Sequence, residues 1–131
     1  MGIKHTQHKT YPDTVLVRTF EGEVSSDDII ASWKLLHEKN LFTSRIKGVL
    51  NDLEDCELTM SMEGFRELMN YMKNQEHLLG LKIAVVTNSP KRIIFPALGE
   101  MQEKSLTIKP FSTIDAAIEW ITGESYSETK S

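Results

Sequence analysis

Apolar residues run along this chain in two rhythms. Val15-Leu16-Val17-Arg18-Thr19-Phe20 is rich in β-branched and aromatic residues and predicts a strand that Gly22 ends. Ile29, Trp33 and Leu36 then recur at helical spacing. Ser25 or Ser26 caps that helix, Asp27 and Asp28 suit its positive dipole end, and Lys39-Asn40 stops it. Ile46 to Asn51 reads as a second buried strand, followed by an acidic loop, Asp52 to Glu57. Thr59 and Ser61 lead in a long helix with Met62, Phe65, Leu68, Met69, Met72 and Leu79 on its inner face and Gly80 as its stop. Ile83-Ala84-Val85-Val86 is apolar on both faces, as a central parallel strand is.

The ends complete the pattern. Asn88-Ser89-Pro90 starts a helix whose stripe is Ile93, Ile94, Ala97 and Met101, kinked at Pro96. Leu106 to Phe111 is a short strand, and Ser112 or Thr113 caps a last helix built on Ala117, Ile118 and Ile121. Residues 3 to 9 form a first strand, turned at Tyr11-Pro12-Asp13 into an antiparallel hairpin with the next. The order β-β-α-β-α-β-α-β-α predicts an α/β fold: a mainly parallel five-stranded sheet with an antiparallel N-terminal edge strand and about four helices. Residues 1–124 make a single domain, and the polar residues 125–131 a disordered tail.

Composition narrows the function. The chain has 131 residues, 40% of them apolar and 26% charged, with a formal net charge of −4. Mixed charges with an acidic balance argue against general nucleic-acid binding. The single cysteine, Cys56, cannot form an intrachain disulfide, so a reducing, cytoplasmic home is expected. Asp55 and Glu57 beside it disfavour the thiolate, making it a poor nucleophile. No run approaches the ~20 apolar residues that span a bilayer. The polar N-terminus lacks the core of a signal peptide, and the Met1-Gly2 start matches a myristoylation pattern too short to carry weight.

A family resemblance rests on several stretches. These are Phe20-Glu21-Gly22-Glu23 before a serine-capped helix, Gly48-Val49-Leu50-Asn51-Asp52 closing a strand, Ile83-Ala84-Val85-Val86-Thr87, and the ending Phe111 to Ile121. Together they resemble a SpoIIAA-like domain of the STAS superfamily, most closely the stand-alone bacterial STAS/SEC14-like proteins. The resemblance implies a β-α superhelix with strands in consecutive order and a non-enzymatic regulatory or protein-interaction role. In anti-sigma-factor antagonists it also implies a phosphorylated serine just after the strand equivalent to Ile46–Asn51. Here that place reads Asn51-Asp52-Leu53-Glu54-Asp55-Cys56, without a serine, and the nearest hydroxyls are Thr59 and Ser61.

Candidate chemistry is sparse. Asp52, Glu54 and Asp55, with Thr59 and Ser61, form a candidate switch or partner loop; its carboxylates offer oxygen ligands to a hard cation, but a solvated acidic loop fits the spacing better. Thr87, Asn88 and Ser89 sit where free amides and hydroxyls can hold an anion, although plain capping accounts for them too. His5 and His8, three apart on a strand, point to opposite faces, and His37 and His77 read as helix-end surface residues. Met60 and Met62, at a loop–helix junction, are open to a role in an adaptable apolar surface. No catalytic triad is legible and no cofactor is implied.

If all crossovers share one hand, the helices pile on one face of the sheet. Val15, Val17, Gly48, Leu50, Ile83, Val85 and Ile108 then face the helices. Leu16, Arg18, Phe20, Lys47 and Val49 fall on the other face, an apolar patch rimmed by cations that suits self-association. The expected partner is thus another protein or a second copy; the alternative is a lipid or small apolar ligand in a cleft between helices and sheet.

Overall fold

The computed structural model describes residues 2–89 and 105–126. The helix expected from Asn88 to Met101, including the Pro96 kink, lies almost wholly outside the described residues, as do residues 127–131 of the tail. The strands are β1 (Gly2–Gln7), β2 (Val15–Ser25), β3 (Gly48–Thr59), β4 (Lys82–Val86) and β5 (Thr107–Phe111). The helices are α1 (Ser26–Glu38), α2 (Met62–Lys73), the single turn α3 (Glu76–Leu79) and α4 (Ile114–Thr122). Strand order is consecutive, β1 antiparallel to β2 and every later pair parallel.

The helix ends follow local chemistry. Ser25 caps α1 in a capping box: its hydroxyl accepts from the Asp28 amide at 3.2 Å, and the Asp28 carboxylate accepts from the Ser25 amide at 2.9 Å. Ser61 caps α2, accepting from the Gly64 amide at 3.0 Å. The long helix expected through Leu79 breaks at Asn74, whose side-chain amide donates to the Asn70 carbonyl at 2.8 Å. Thr113 caps α4, which Gly123 ends in the left-handed conformation at φ 75°.

The expected acidic loop is strand. β3 continues to Thr59, 12 residues in all, and pairs with β2, whose 11 residues run past Gly22 to Ser25. The pairing steps from Thr19–Asp52 to Glu21–Asp55, so β3 carries one extra residue, a β-bulge. The bulge changes which residues face inward: Leu53 before it and Cys56 after it are both buried in the same cluster. Four carboxylates in this stretch mask that pattern in the sequence. β3 pairs with β4 only through Gly48–Asp52, so β2 and β3 extend beyond the other strands as a two-stranded ribbon.

Two cores, one on each face, hold the sheet. Leu16, Phe20, Val49, Ile83 and Ile108 pack under α1 and α2 with Trp33, Leu36, Phe65 and Met72. Val15, Leu50, Ala84 and Val86 pack under α4 with Ala117, Ile118 and Ile121. The expectation that all helices share one face is therefore corrected: α1 and α2 do, but α4 returns beneath the other side. The assumed register was also slipped by one residue at β4 and β5. Leu16 stands beside Val49, Ile83 and Ile108 across the ladder, and a one-residue slip reverses every side chain.

The proposed self-association patch falls with that slip. Leu16, Arg18, Phe20 and Val49 are buried inside the chain, and of that set only Lys47 is exposed. Their face is covered because the β2–α1–β3 and β3–α2–β4 crossovers both close over it.

Candidate functional site

The two crossovers leave a cleft between α1, α2 and the sheet. It encloses about 500 Å3 of empty space, counting its open mouth. Ile29 and Trp33 of α1, Phe65 and Met69 of α2, and Ile83 and Ile108 of the sheet are among its walls. Leu58 and Met60 line it from the end of β3 and the loop into α2. Among the described residues the wall is apolar except for two, Arg18 and Asn51.

Arg18 is 1% exposed, in the middle of β2 between Leu16 and Phe20. Among the described residues no carboxylate pairs with it; the ion pairs Lys4–Glu21 and Arg45–Asp13 lie at the surface. Neutral groups hold it instead. Its Nη1 donates to Asn51 Oδ1 at 2.7 Å, its Nε to Ser32 Oγ at 3.2 Å, and its Nη2 to the Ile29 carbonyl at 3.4 Å. Asn51 is fixed in this orientation because its Nδ2 donates to the Ala84 carbonyl at 2.9 Å. The guanidinium also lies over the Trp33 ring, 3.9 Å from its centre, and 5.1 Å from that of Phe20.

Burying a cation without an anion is costly, and the group responds. Burial pushes the Arg18 pKa down to about 9, which still leaves it charged at neutral pH. Ser32 passes the effect outward: its Oγ is 2.8 Å from Nε2 of His5 on β1. Partial burial, then the nearby charges of Arg18 and Lys39, lower the His5 pKa. A second donor is left over in the same wall. The Nε1 of Trp33 is buried and has no acceptor.

Of the sequence-derived candidates, Arg18, Phe20 and Met60 line the cleft and the others lie elsewhere. Asp52 is half-buried and accepts from the Glu54 amide at 3.0 Å, while Glu54 and Asp55 are exposed on the ribbon. Among the described residues no three metal-ligating side chains are drawn together. Thr59 is the last residue of β3, not a helix cap, and its hydroxyl donates to the Val24 carbonyl at 3.4 Å. Ser61 alone caps α2. Thr87 is buried, and its Oγ1 accepts from the Ser89 amide at 3.2 Å, while Asn88 is exposed. Met60 joins the cleft and Met62 does not. His37 and His77, read as separate surface residues, stack with ring centres 4.1 Å apart. Tyr126, at the start of the expected tail, packs against His8 and Tyr11.

A polar set in the cleft wall was missed, and it left two signals. Ser32 sits on the inner stripe of α1, between Ile29, Trp33 and Leu36. Arg18 shares a face of β2 with Leu16 and Phe20, and an ion within a strand's buried set calls for a partner.

No family model matches the chain, and no curated protein matches it either. Solved structures do. An uncharacterised protein of the DUF3478 family with a SpoIIAA-like fold, from Shewanella loihica PV-4, is 16% identical with a TM-score of 0.64, covering 92% of this chain and 93% of its own. The anti-sigma factor antagonist SpoIIAA in its unphosphorylated form is 14% identical with a TM-score of 0.57, covering 94% of this chain and all of its own (100%). The fold is SpoIIAA-like. Among the described residues no helix is long and apolar enough to cross a membrane.

Proposed function

We propose that this chain is a non-enzymatic, STAS-like binding domain that takes a small apolar molecule into the cleft beneath α1 and α2. One observation carries the reading: the cleft wall is apolar apart from Arg18 and Asn51. Ligand sites usually combine an apolar lining with a few fixed polar groups. Met60, Met69 and Met72 add flexible side chains that repack around different shapes. Cytoplasmic residence accompanies this proposal, in keeping with a single, buried cysteine, Cys56, that has no second cysteine in the sequence to bridge. The test is native mass spectrometry of protein purified from its own cells. A small apolar adduct, released on denaturation, is the expected result. Ligand-free protein that also fails to bind octan-1-ol saturably would count against it.

The likeness to SpoIIAA supports a second reading, a regulatory domain that engages another protein. The ribbon of β2 and β3 sets Glu21 beside Asp55 and Glu23 beside Glu57. Like charges across strands cost stability, so a basic partner surface is the complement such a ribbon suits. Here Asp52, Glu54 and Asp55 belong to the partner face, and Thr59 and Ser61 to the structure behind it. Reversing Glu23 and Glu57 to lysine should abolish such an interaction and leave cleft binding intact.

A further inference from the structure

The cleft is more than apolar: its wall carries a positive charge and hydrogen-bond donors that nothing among the described residues answers. A guanidinium has five N–H bonds. Three of those of Arg18 point to Asn51, Ser32 and the Ile29 carbonyl, the last at a long 3.4 Å. Two remain, and the Nε1–H of Trp33, whose ring centre lies 3.9 Å from the guanidinium, is buried and has no acceptor among the described residues. The acceptors that Arg18 has among the described residues are all neutral.

We propose that the Arg18–Trp33 corner of this cleft receives the carboxylate of a small carboxylic acid with an apolar body. The inference rests on the apolar-ligand reading above and adds the chemistry of the head group. Charge balance selects a monoanion, because one cation is buried and no acidic side chain offsets it among the described residues. Donor count points the same way. The remaining guanidinium N–H bonds and one indole N–H match two carboxylate oxygens, and planar Arg–carboxylate pairing is a favoured geometry. A phosphate dianion would need a second cation, and none lines the cleft among the described residues. The rest of the wall has no polar side chain but Asn51, already committed to Arg18 and Ala84, so the body of the ligand must be apolar. The lowered pKa of Arg18 agrees with this: its charged form lacks a counter-ion that a bound carboxylate would supply.

The test compares octanoate with octan-1-ol on the intact wild-type protein at neutral pH. Calorimetry should give octanoate an affinity roughly ten- to hundred-fold higher, the usual gain from hydrogen bonds to a charged group. In the 15N–1H spectrum octanoate, not octanol, should move the Trp33 indole resonance downfield; the Trp33→Phe variant assigns that resonance against Trp120. Arg18→Met should erase the preference for octanoate while keeping octanol binding. Equal affinities in the wild-type protein would overturn the carboxylate inference and leave the apolar-ligand reading standing. Failure of both ligands to bind would overturn both. An octanoate shift confined to the Trp120 indole would place the anion elsewhere and refute the proposal, whether or not the variants fold.

Discussion

The guanidinium of Arg18 lies 3.9 Å from the centre of the Trp33 ring, and the indole N–H of that ring has no acceptor among the described residues. The pair joins the middle of β2 to the inner face of α1. It also puts a buried positive charge in the wall of an apolar cleft, where a hydrophobic residue would fill the space at less cost in solvation.

That cost predicts an unusual mutational pattern. Arg18→Met keeps an unbranched, flexible apolar stem and removes the charge, so it should leave stability unchanged or raise it by ~1–4 kcal/mol, as replacement of buried ionic groups by apolar ones does. Asn51→Ala keeps the charge but takes away its shortest hydrogen bond and frees the Ala84 carbonyl. It should cost about 3 kcal/mol, the penalty for stranding a buried charged group. Urea unfolding of both variants decides the matter. A large loss for Arg18→Met would show that the arginine is held for stability and not for a ligand.

Much of this arrangement was legible in the sequence, and the illegible parts have definite causes. The strand Val15–Phe20 and the stripe Ile29, Trp33, Leu36 follow from periodicity alone, and the consecutive strand order is what the resemblance to SpoIIAA-like domains implies. The second half of β3 does not, because a bulge shifts its alternation between Leu53 and Cys56 while carboxylates fill the outward positions. The two faces of β4 could not be told apart either. Ile83, Ala84, Val85 and Val86 are all apolar and all buried, so pattern sets no register, and a slip of one residue turned the floor of the cleft into an imagined outer surface. Arg18 was misassigned for that reason. The sequence places it on the face of Leu16 and Phe20 but does not say that α1 and α2 cover that face.

The opposite face depends on close packing. A Cβ added at Gly48 would come within 2.6 Å of the Lys82 carbonyl oxygen and 2.7 Å of Ile121 Cγ2. The first contact is backbone, so α4 or β4 must shift to admit it. Gly48→Ala should destabilise the protein by ~1–3 kcal/mol through overpacking. Binding in the cleft lies across the sheet and should be nearly unchanged. Thermal unfolding and octan-1-ol titration of the same sample separate the two effects.

Stability should also depend on pH below neutrality. Burial, followed by the charges of Arg18 and Lys39, lowers the pKa of His5; burial, followed by His37, lowers that of His77. Both rings are therefore held neutral in the fold, and the unfolded chain binds protons more readily. The stability they contribute is complete above the ordinary histidine value of ~6.5 and is lost as pH falls through the lower folded values. Urea midpoints should fall between pH 7 and pH 5. A His5→Asn, His77→Phe variant should flatten that dependence, and an unaltered slope would show that other groups are responsible.

The cleft's occupancy can be read atom by atom from its methionines. Met60, Met69 and Met72 line it, while Met62, the first residue of α2, is exposed and does not. Titrating methyl-labelled protein with octan-1-ol and following the methionine methyl resonances is the most direct measurement of the central claim. A small apolar molecule bound in the cleft predicts saturable shifts at Met60, Met69 and Met72 with Met62 unmoved. Unchanged cleft methyls, or a shift that grows without saturation at Met62, would contradict it.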